Sequence, residues 1–140
     1  MIAYQWRGSF DSREVSALHA AAFGGQGGSG GVGDQSAGPQ DWRAQVERHS
    51  LGWVCARDGG DLAGFVNVAW DGGAHAFILD TMVAARMRRR GIGAGLVAAA
   101  VREARRAGCE WLHVDFEEHL RPFYLGGCGF TSSAAGLIAL

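Results

Sequence analysis

Between residues 51 and 83 the apolar positions fall into three compact runs, LGWVCAR (51–57), LAGFVNVAW (62–70) and HAFILDTMV (75–83). DGGD and DGGA separate them. Runs rich in Val, Phe, Ile and Trp between Asp-Gly signals predict strands, with glycine supplying the positive φ of tight turns. The three strands should pair antiparallel. Their nearly unbroken apolar character predicts a sheet covered on both faces.

Elsewhere the period is helical. DSREVSALHAAAF (11–23) places Val15, Leu18 and Ala22, with Ala21 and Phe23, on one face, with Asp11 or Ser12 as cap and Glu14 in the first turn. DWRAQVERHS predicts a short second helix capped by Asp41. A third, over 93–107, gathers Leu96, Val97, Ala100, Val101 and Ala104 on one face. Arg105 and Arg106 suit its C-terminal dipole, and Gly108 suits its C-cap. Further strand signals lie in MIAYQWRGSF, CEWLHVDF and the terminal AGLIAL, and EEHLRPFYLGG reads as a Pro-interrupted helical or looped piece. The order β-α-α-βββ-α-β-α-β predicts a mixed α/β sheet, mostly antiparallel, flanked by helices.

The 140 residues suit one domain, 1–140, and 48% hydrophobic content suffices for a core. GGQGGSGGVGDQSAGPQ (24–40) is too glycine-rich to hold a helix or strand and predicts a flexible loop. The net charge of -1 argues against a general polyanion binder, so nucleic acid is an unfavoured partner. Cys55, Cys109 and Cys128 are widely spaced without a CxxC pair. They predict buried free thiols in a reducing compartment and no metal site. No apolar stretch approaches the length of a membrane span, so a cytoplasmic protein is expected.

RMRRRGIGAG (86–95) joins the strand 75–83 to the helix 93–107. A helix start leaves backbone N–H groups unpaired, and its dipole favours an anion. Gly91, Gly93 and Gly95 remove side chains from that surface, while Arg86, Arg88, Arg89 and Arg90 add charge at the rim. The stretch reads as a phosphate or pyrophosphate seat; a solvated cap is the bland alternative. A dinucleotide fingerprint fails, because GxGxxG from Gly91 would require glycine where Leu96 stands.

The stretch also resembles the [Q/R]-x-x-G-x-[G/A] acetyl-CoA motif of the GNAT superfamily of acyl-CoA-dependent N-acetyltransferases, with Arg88, Gly91 and Gly93 in the defined positions. ILDTMV looks like that family's central strand, and FYLGGCGF resembles its F-Y-x-x-x-G-F signature. The element order fits over most of the chain. The resemblance implies a sheet splayed between its fourth and fifth strands, 75–83 and 110–116. It implies that acetyl-CoA rests its pyrophosphate on the amides of Arg88, Arg89, Arg90, Gly91, Ile92, Gly93 and Ala94. Its pantetheine arm would pair with the strand edge near Met82 and Val83. Two departures touch that arm: Glu117 stands where the family commonly has Asn, and Leu120 where it has a small residue. A third is that Tyr124 is one residue farther from Gly129-Phe130 than usual, so Tyr124 or Leu125 occupies the family position.

Acyl transfer from a thioester to an amine needs a neutral amine, a donor for the carbonyl oxygen and a proton for the leaving thiolate. Holding an alkyl ammonium neutral at pH 7 costs roughly 4–5 kcal/mol. Asp80, the one carboxylate in HAFILDTMV, is the candidate base or amine anchor, or else a structural buried Asp. The Val83 N–H is the family-like oxyanion donor. Tyr124 is the candidate acid for the thiolate, or else a packing aromatic. Glu117 and Glu118 could present negative charge to a cationic amine. No histidine stands out as a base, and Cys128 has no neighbouring His to activate it, so direct attack is expected. The expected acceptor is a small primary amine rather than a peptide N-terminus. Rival readings are a non-catalytic acyl-CoA sensor of the same fold and a nucleic-acid binder using the arginines. The terminal strand AGLIAL could pair two copies into a homodimer.

Overall fold

In the computed structural model, which describes residues 1–23 and 40–140, the elements alternate much as the apolar periods do. They are β1 (Ile2–Trp6), α1 (Ser12–Phe23), α2 (Trp42–His49), β2 (Ser50–Asp58), β3 (Asp61–Trp70), β4 (His75–Val83), α3 (Ile92–Arg106) and β5 (Trp111–Val114). A π-helical turn, Pro122–Gly127, follows. The expected loop 24–40 lies, but for Gln40, outside the described residues.

The sheet runs β1-β2-β3-β4-β5, antiparallel except for the parallel β4–β5 pair. Both Asp-Gly turns form, with Gly59 and Gly72 at φ 60 and 82. The helix ends also follow the chemistry read above. Asp11 accepts from the Arg13 N–H at 2.8 Å while Glu14 accepts from the Asp11 N–H at 3.0 Å, a reciprocal cap. Asp41 accepts from the Ala44 N–H at 3.1 Å. Gly108 and Cys109 close α3 by donating to Arg105 and Ala104, both at 3.0 Å.

α1 and α2 cover one face of the sheet, where Phe10, Trp42, Trp53 and Phe65 pack edge to face. α3 covers the other, and Gly64 on β3 lets it come close. A Cβ there would meet Leu96 Cδ1 at 3.0 Å and Ile92 Cγ2 at 3.1 Å. Tyr4 closes over Gly95 in the same way. Gly95 is therefore a packing residue under an aromatic ring and not part of an anion surface.

Three expectations change. AGLIAL forms no strand: residues 128–140 carry no regular secondary structure, and Leu137, Ile138 and Leu140 are exposed. The π-helical turn directs the chain toward Tyr124, to which the Phe130 N–H donates at 3.1 Å, so β5 keeps an unpaired edge among the described residues. The strand on which a homodimer was expected is thus missing. Cover on both faces holds for β2 and β3 but fails on β4, where Phe77 and Leu79 face outward. Of the three free thiols only Cys55 is fully buried; burial holds it protonated, with its pKa pushed up to about 11.

Candidate active site

β4 outruns its parallel partner. Pairing with β5 ends at Ile78 opposite Val114, and among the described residues no strand flanks 79–83 on that side. This opening is the splay expected between the fourth and fifth strands. Successive amides of a strand point to opposite sides. The Ala84 N–H donates to the Ala63 carbonyl at 2.8 Å, on the β3 side. The Val83 N–H therefore faces the opening. Met82 is 1% exposed with its side chain in the core, so only its backbone is available there.

A bulge shapes the middle of β4. Asn67 pairs with Leu79 and Phe65 with Met82, so Asp80 and Thr81 together oppose Val66. Asp80 takes φ 55, a left-handed backbone that Asp tolerates better than most residues. Its carboxyl is half-buried, and burial pushes its pKa up. His19 on α1 and a hydrogen bond from Asn67 partly oppose that shift. Asn67 is itself buried and accepts from the Ser50 hydroxyl. Thr81 has a buried hydroxyl without a partner of good geometry, although it lies close enough to Tyr124 to temper that phenol.

Tyr124 is 6% exposed, stacked on Phe116 at 5.1 Å and edge-on to Phe123 and Phe130. Burial raises its pKa, keeping the phenol protonated at neutral pH. The extra residue between Tyr124 and Gly129-Phe130 is taken up by the π-helical turn, in which the Cys128 N–H donates to Phe123 at 2.9 Å, five residues back. With the turn in place Tyr124 is buried, while Leu125 is only half-buried.

The basic stretch begins with a 3-10 turn, Ala85–Met87, that engages the Arg88 N–H with Ala85. Arg89 and Gly91 both adopt positive φ, 66 and 76, and Gly91 caps α3 from the left-handed region with open space at its Cα. The first helical bond runs from the Gly95 N–H to Gly91 at 3.0 Å. The amides of Ile92, Gly93 and Ala94 ahead of it have no helical partner. The Ile92 side chain is core, at 1% exposure. A Cβ on Gly93 would meet Phe123 Cζ at 3.1 Å and Val83 Cγ2 at 3.8 Å, so α3, the π-helical turn and the end of β4 converge there. Arg88, Arg89 and Arg90 are exposed and make no ion pair among the described residues, while Arg86 pairs with Asp61 at 3.5 Å.

Glu117 and Glu118 stand apart from Asp80 in character. Their side chains are 83% and 80% exposed and pair with His119 at 3.4 Å and Arg121 at 2.7 Å. A cleft of about 540 Å³ lies between α1 and residues 84–86, but its charged groups are neutralised, Glu14 by Arg57 and Arg86 by Asp61. Among the described residues no group of three or more His, Cys, Asp or Glu is placed to hold a metal, and no helix is long and apolar enough to cross a membrane. Residue reasoning overlooked His19, Asn67 and Thr81. The polar Asn67 inside the apolar run FVNVAW was the available signal.

The model of the acetyltransferase (GNAT) family matches residues 15–130. The chain belongs to the GNAT acetyltransferase family. Its fold is shared by a GNAT-family acetyltransferase of Streptococcus pneumoniae TIGR4, 21% identical, with a TM-score of 0.74 over 100% of this chain and 98% of that one. Glucosamine-6-phosphate N-acetyltransferase of Arabidopsis thaliana is 15% identical, with a TM-score of 0.68 over 99% and 98%. AAC(6')-Iy, solved with the bisubstrate analogue CoA-S-monomethyl-acetylneamine, is 17% identical, with a TM-score of 0.72 over 100% and 97%. No curated protein matches the chain in sequence. GNAT membership makes this an acetyltransferase domain of a family that uses acetyl-CoA. Among the described residues, those at the opening fit the family's co-substrate: a strand edge with unpaired backbone groups, the Thr81 hydroxyl without a partner of good geometry and three amides without a helical partner at the start of α3.

Proposed function

We propose that this GNAT domain moves the acetyl group of acetyl-CoA to a primary amine by direct attack, at the opening beside β4. The observation that carries the reading is the end of β4, where the half-buried Asp80 precedes Thr81, Thr81 lies beside the buried, protonated phenol of Tyr124, and Val83 meets the amide-rich start of α3 at Gly93. The amides of Ile92, Gly93 and Ala94, with Gly91 and the side chains of Arg88, Arg89 and Arg90, would hold the pyrophosphate. The backbone of Met82 and Val83 would pair with the pantetheine amides.

The chemistry then divides among neighbouring groups. Asp80 anchors the ammonium and takes its proton, directly or through water; a carboxyl whose pKa burial has raised suits that task. The amine nitrogen bonds to the thioester carbon while negative charge builds on the carbonyl oxygen, which the Val83 N–H stabilises. As the C–S bond breaks, Tyr124 gives its proton to the leaving sulfur and is reprotonated by the proton that the adduct nitrogen sheds as the amide forms. The three unpaired thiols fit a reducing, cytoplasmic setting.

Calorimetric titration with acetyl-CoA tests the seat. The wild-type protein should bind saturably, and Gly91→Val should bind at least about tenfold more weakly, since a β-branched residue resists φ 76 and shifts the open amides. Equal affinity in both proteins removes the start of α3 from the site.

A further inference from the structure

Resting on the reading above, we propose that the outward strip of β4 and β5 is the acceptor platform. It takes a monoamine whose nitrogen sits on a short arm from an aromatic or similarly flat apolar body.

The strip is an anomaly of pattern. β4 alternates by burial, with Ala76 and Ile78 at 0% and 3% exposure, yet its outward positions are Phe77 and Leu79, at 38% and 44%. An outward sheet face exposed to water ordinarily carries polar residues. β5 extends the surface: Trp111 is 64% exposed, and the His113 ring stacks on Phe77 with centroids 4.7 Å apart and planes at 18°. His75 Nδ1 lies 2.7 Å from His113 Nε2, so the two imidazoles are locked together.

The register fixes which way the strip leads. Phe77 pairs with Ala69 and Leu79 with Asn67, and paired residues share a face. Asp80 follows Leu79 in the bulge, and Asn67 lies close enough to temper its carboxyl, so the platform ends at the candidate base. Phe77 and Asp80 are three strand residues apart, about 10 Å. An ammonium held at Asp80 leaves its apolar body over Leu79 and against the Phe77–His113 pair.

Charge selects against a polycation. Acidic groups lie at the opening, with Asp80 on β4 and the exposed Asp115 just past β5. From Leu79 to Phe77 and His113 the surface is apolar or imidazole. A polyamine anchored at Asp80 would lay its remaining ammonium groups along that apolar and imidazole surface and desolvate them without partners.

The test compares phenethylamine, n-butylamine and spermidine, by CoA release and by tryptophan fluorescence in the absence of acetyl-CoA. Phenethylamine should give the highest kcat/KM and a saturable fluorescence change. Phe77→Ser should raise its KM about tenfold, leaving kcat, acetyl-CoA affinity and the KM for n-butylamine unchanged, with Phe77→Leu intermediate. Equal or better use of spermidine or n-butylamine overturns the platform while leaving acetyl transfer intact. An unchanged KM in Phe77→Ser overturns it too. So does light scattering that shows a dimer dissociated by Phe77→Ser, since the strip would then be an interface between copies. Acetyl-CoA binding without transfer to any amine, but with saturable phenethylamine binding lost in Phe77→Ser, keeps the platform and refutes the catalytic reading. No transfer and no phenethylamine binding refutes both.

Discussion

Asp80 combines a left-handed backbone with a carboxyl whose pKa burial has raised. The sign of that shift decides what the residue does for stability. A folded pKa above the unfolded one means that ionisation costs folding free energy. The full stability is present below the ordinary carboxylate range and part is lost as pH rises through the folded value. Asp80→Asn keeps a side chain tolerant of φ 55 and removes the charge. At pH 7 its melting temperature should equal or exceed that of the wild type, and the difference should vanish once both are measured below pH 3.5, under the ordinary carboxylate pKa. The same variant should flatten the rise of rate with pH. A lower melting temperature at pH 7 together with an unchanged rate profile would make Asp80 a structural residue. Tyr124→Phe should lower kcat by roughly 10²–10⁴-fold while sparing acetyl-CoA affinity; full activity removes the phenol from the mechanism. The chain pattern pointed to Asp80 because a carboxylate inside an apolar strand is costly. It could not reveal the bulge, which depends on how β3 and β4 register across space. Nor could it join His19 and Asn67 to Asp80, since those contacts cross 61 and 13 positions of sequence.

At the scale of elements, helix ends and hairpin turns were legible because their causes are local. Asp11, Asp41, Gly59, Gly72 and Gly108 all act within a few residues of themselves. The π-helical turn was only half legible: the extra residue after Tyr124 is visible, but whether it moves Tyr124 depends on the packing of Phe116, Phe123 and Phe130 around it. The strand expected in AGLIAL failed although β5 leaves an edge unpaired among the described residues, because Phe130 ties the chain to Tyr124 first. Arg57 shows how elements are fastened. It pairs with both Glu14 oxygens, at 2.5 and 3.1 Å, and donates to Ser9 and Gly60, joining α1, its entry loop and the β2–β3 turn. Arg57→Lys loses the fork and should cost about 1–2 kcal/mol in denaturant unfolding. The arginine lowers the Glu14 pKa, so the pair's contribution is present above the ordinary Glu range and lost as pH falls through the lowered value. An unfolding midpoint in Arg57→Lys equal to that of the wild type would reduce the clamp to a surface pair.

For the molecule as a whole, the site arises from a mismatch of lengths. β4 runs to Val83 while β5 pairs only from Trp111 to Val114, so the sheet opens where α3 starts and where the π-helical turn brings Tyr124 inward. α1 and α2 cover the opposite face over β3 and leave Phe77 and Leu79 outside. Sequence order made this arrangement legible through strand–helix–strand periodicity and the basic glycine stretch. The roles of single glycines were not: Gly91 is the open cap, whereas Gly93 and Gly95 lie under Phe123 and Tyr4. The central claim is acetyl transfer to an amine at this opening. Its most direct test is the release of free CoA from acetyl-CoA in the presence of primary amines, followed for wild type and Tyr124→Phe in parallel. The result expected is amine-dependent release by the wild type, with an acetylated amine formed for each CoA, and a large loss of turnover in Tyr124→Phe at unchanged acetyl-CoA affinity. Saturable acetyl-CoA binding with no amine-dependent release would contradict the claim and leave a binding module in the same fold.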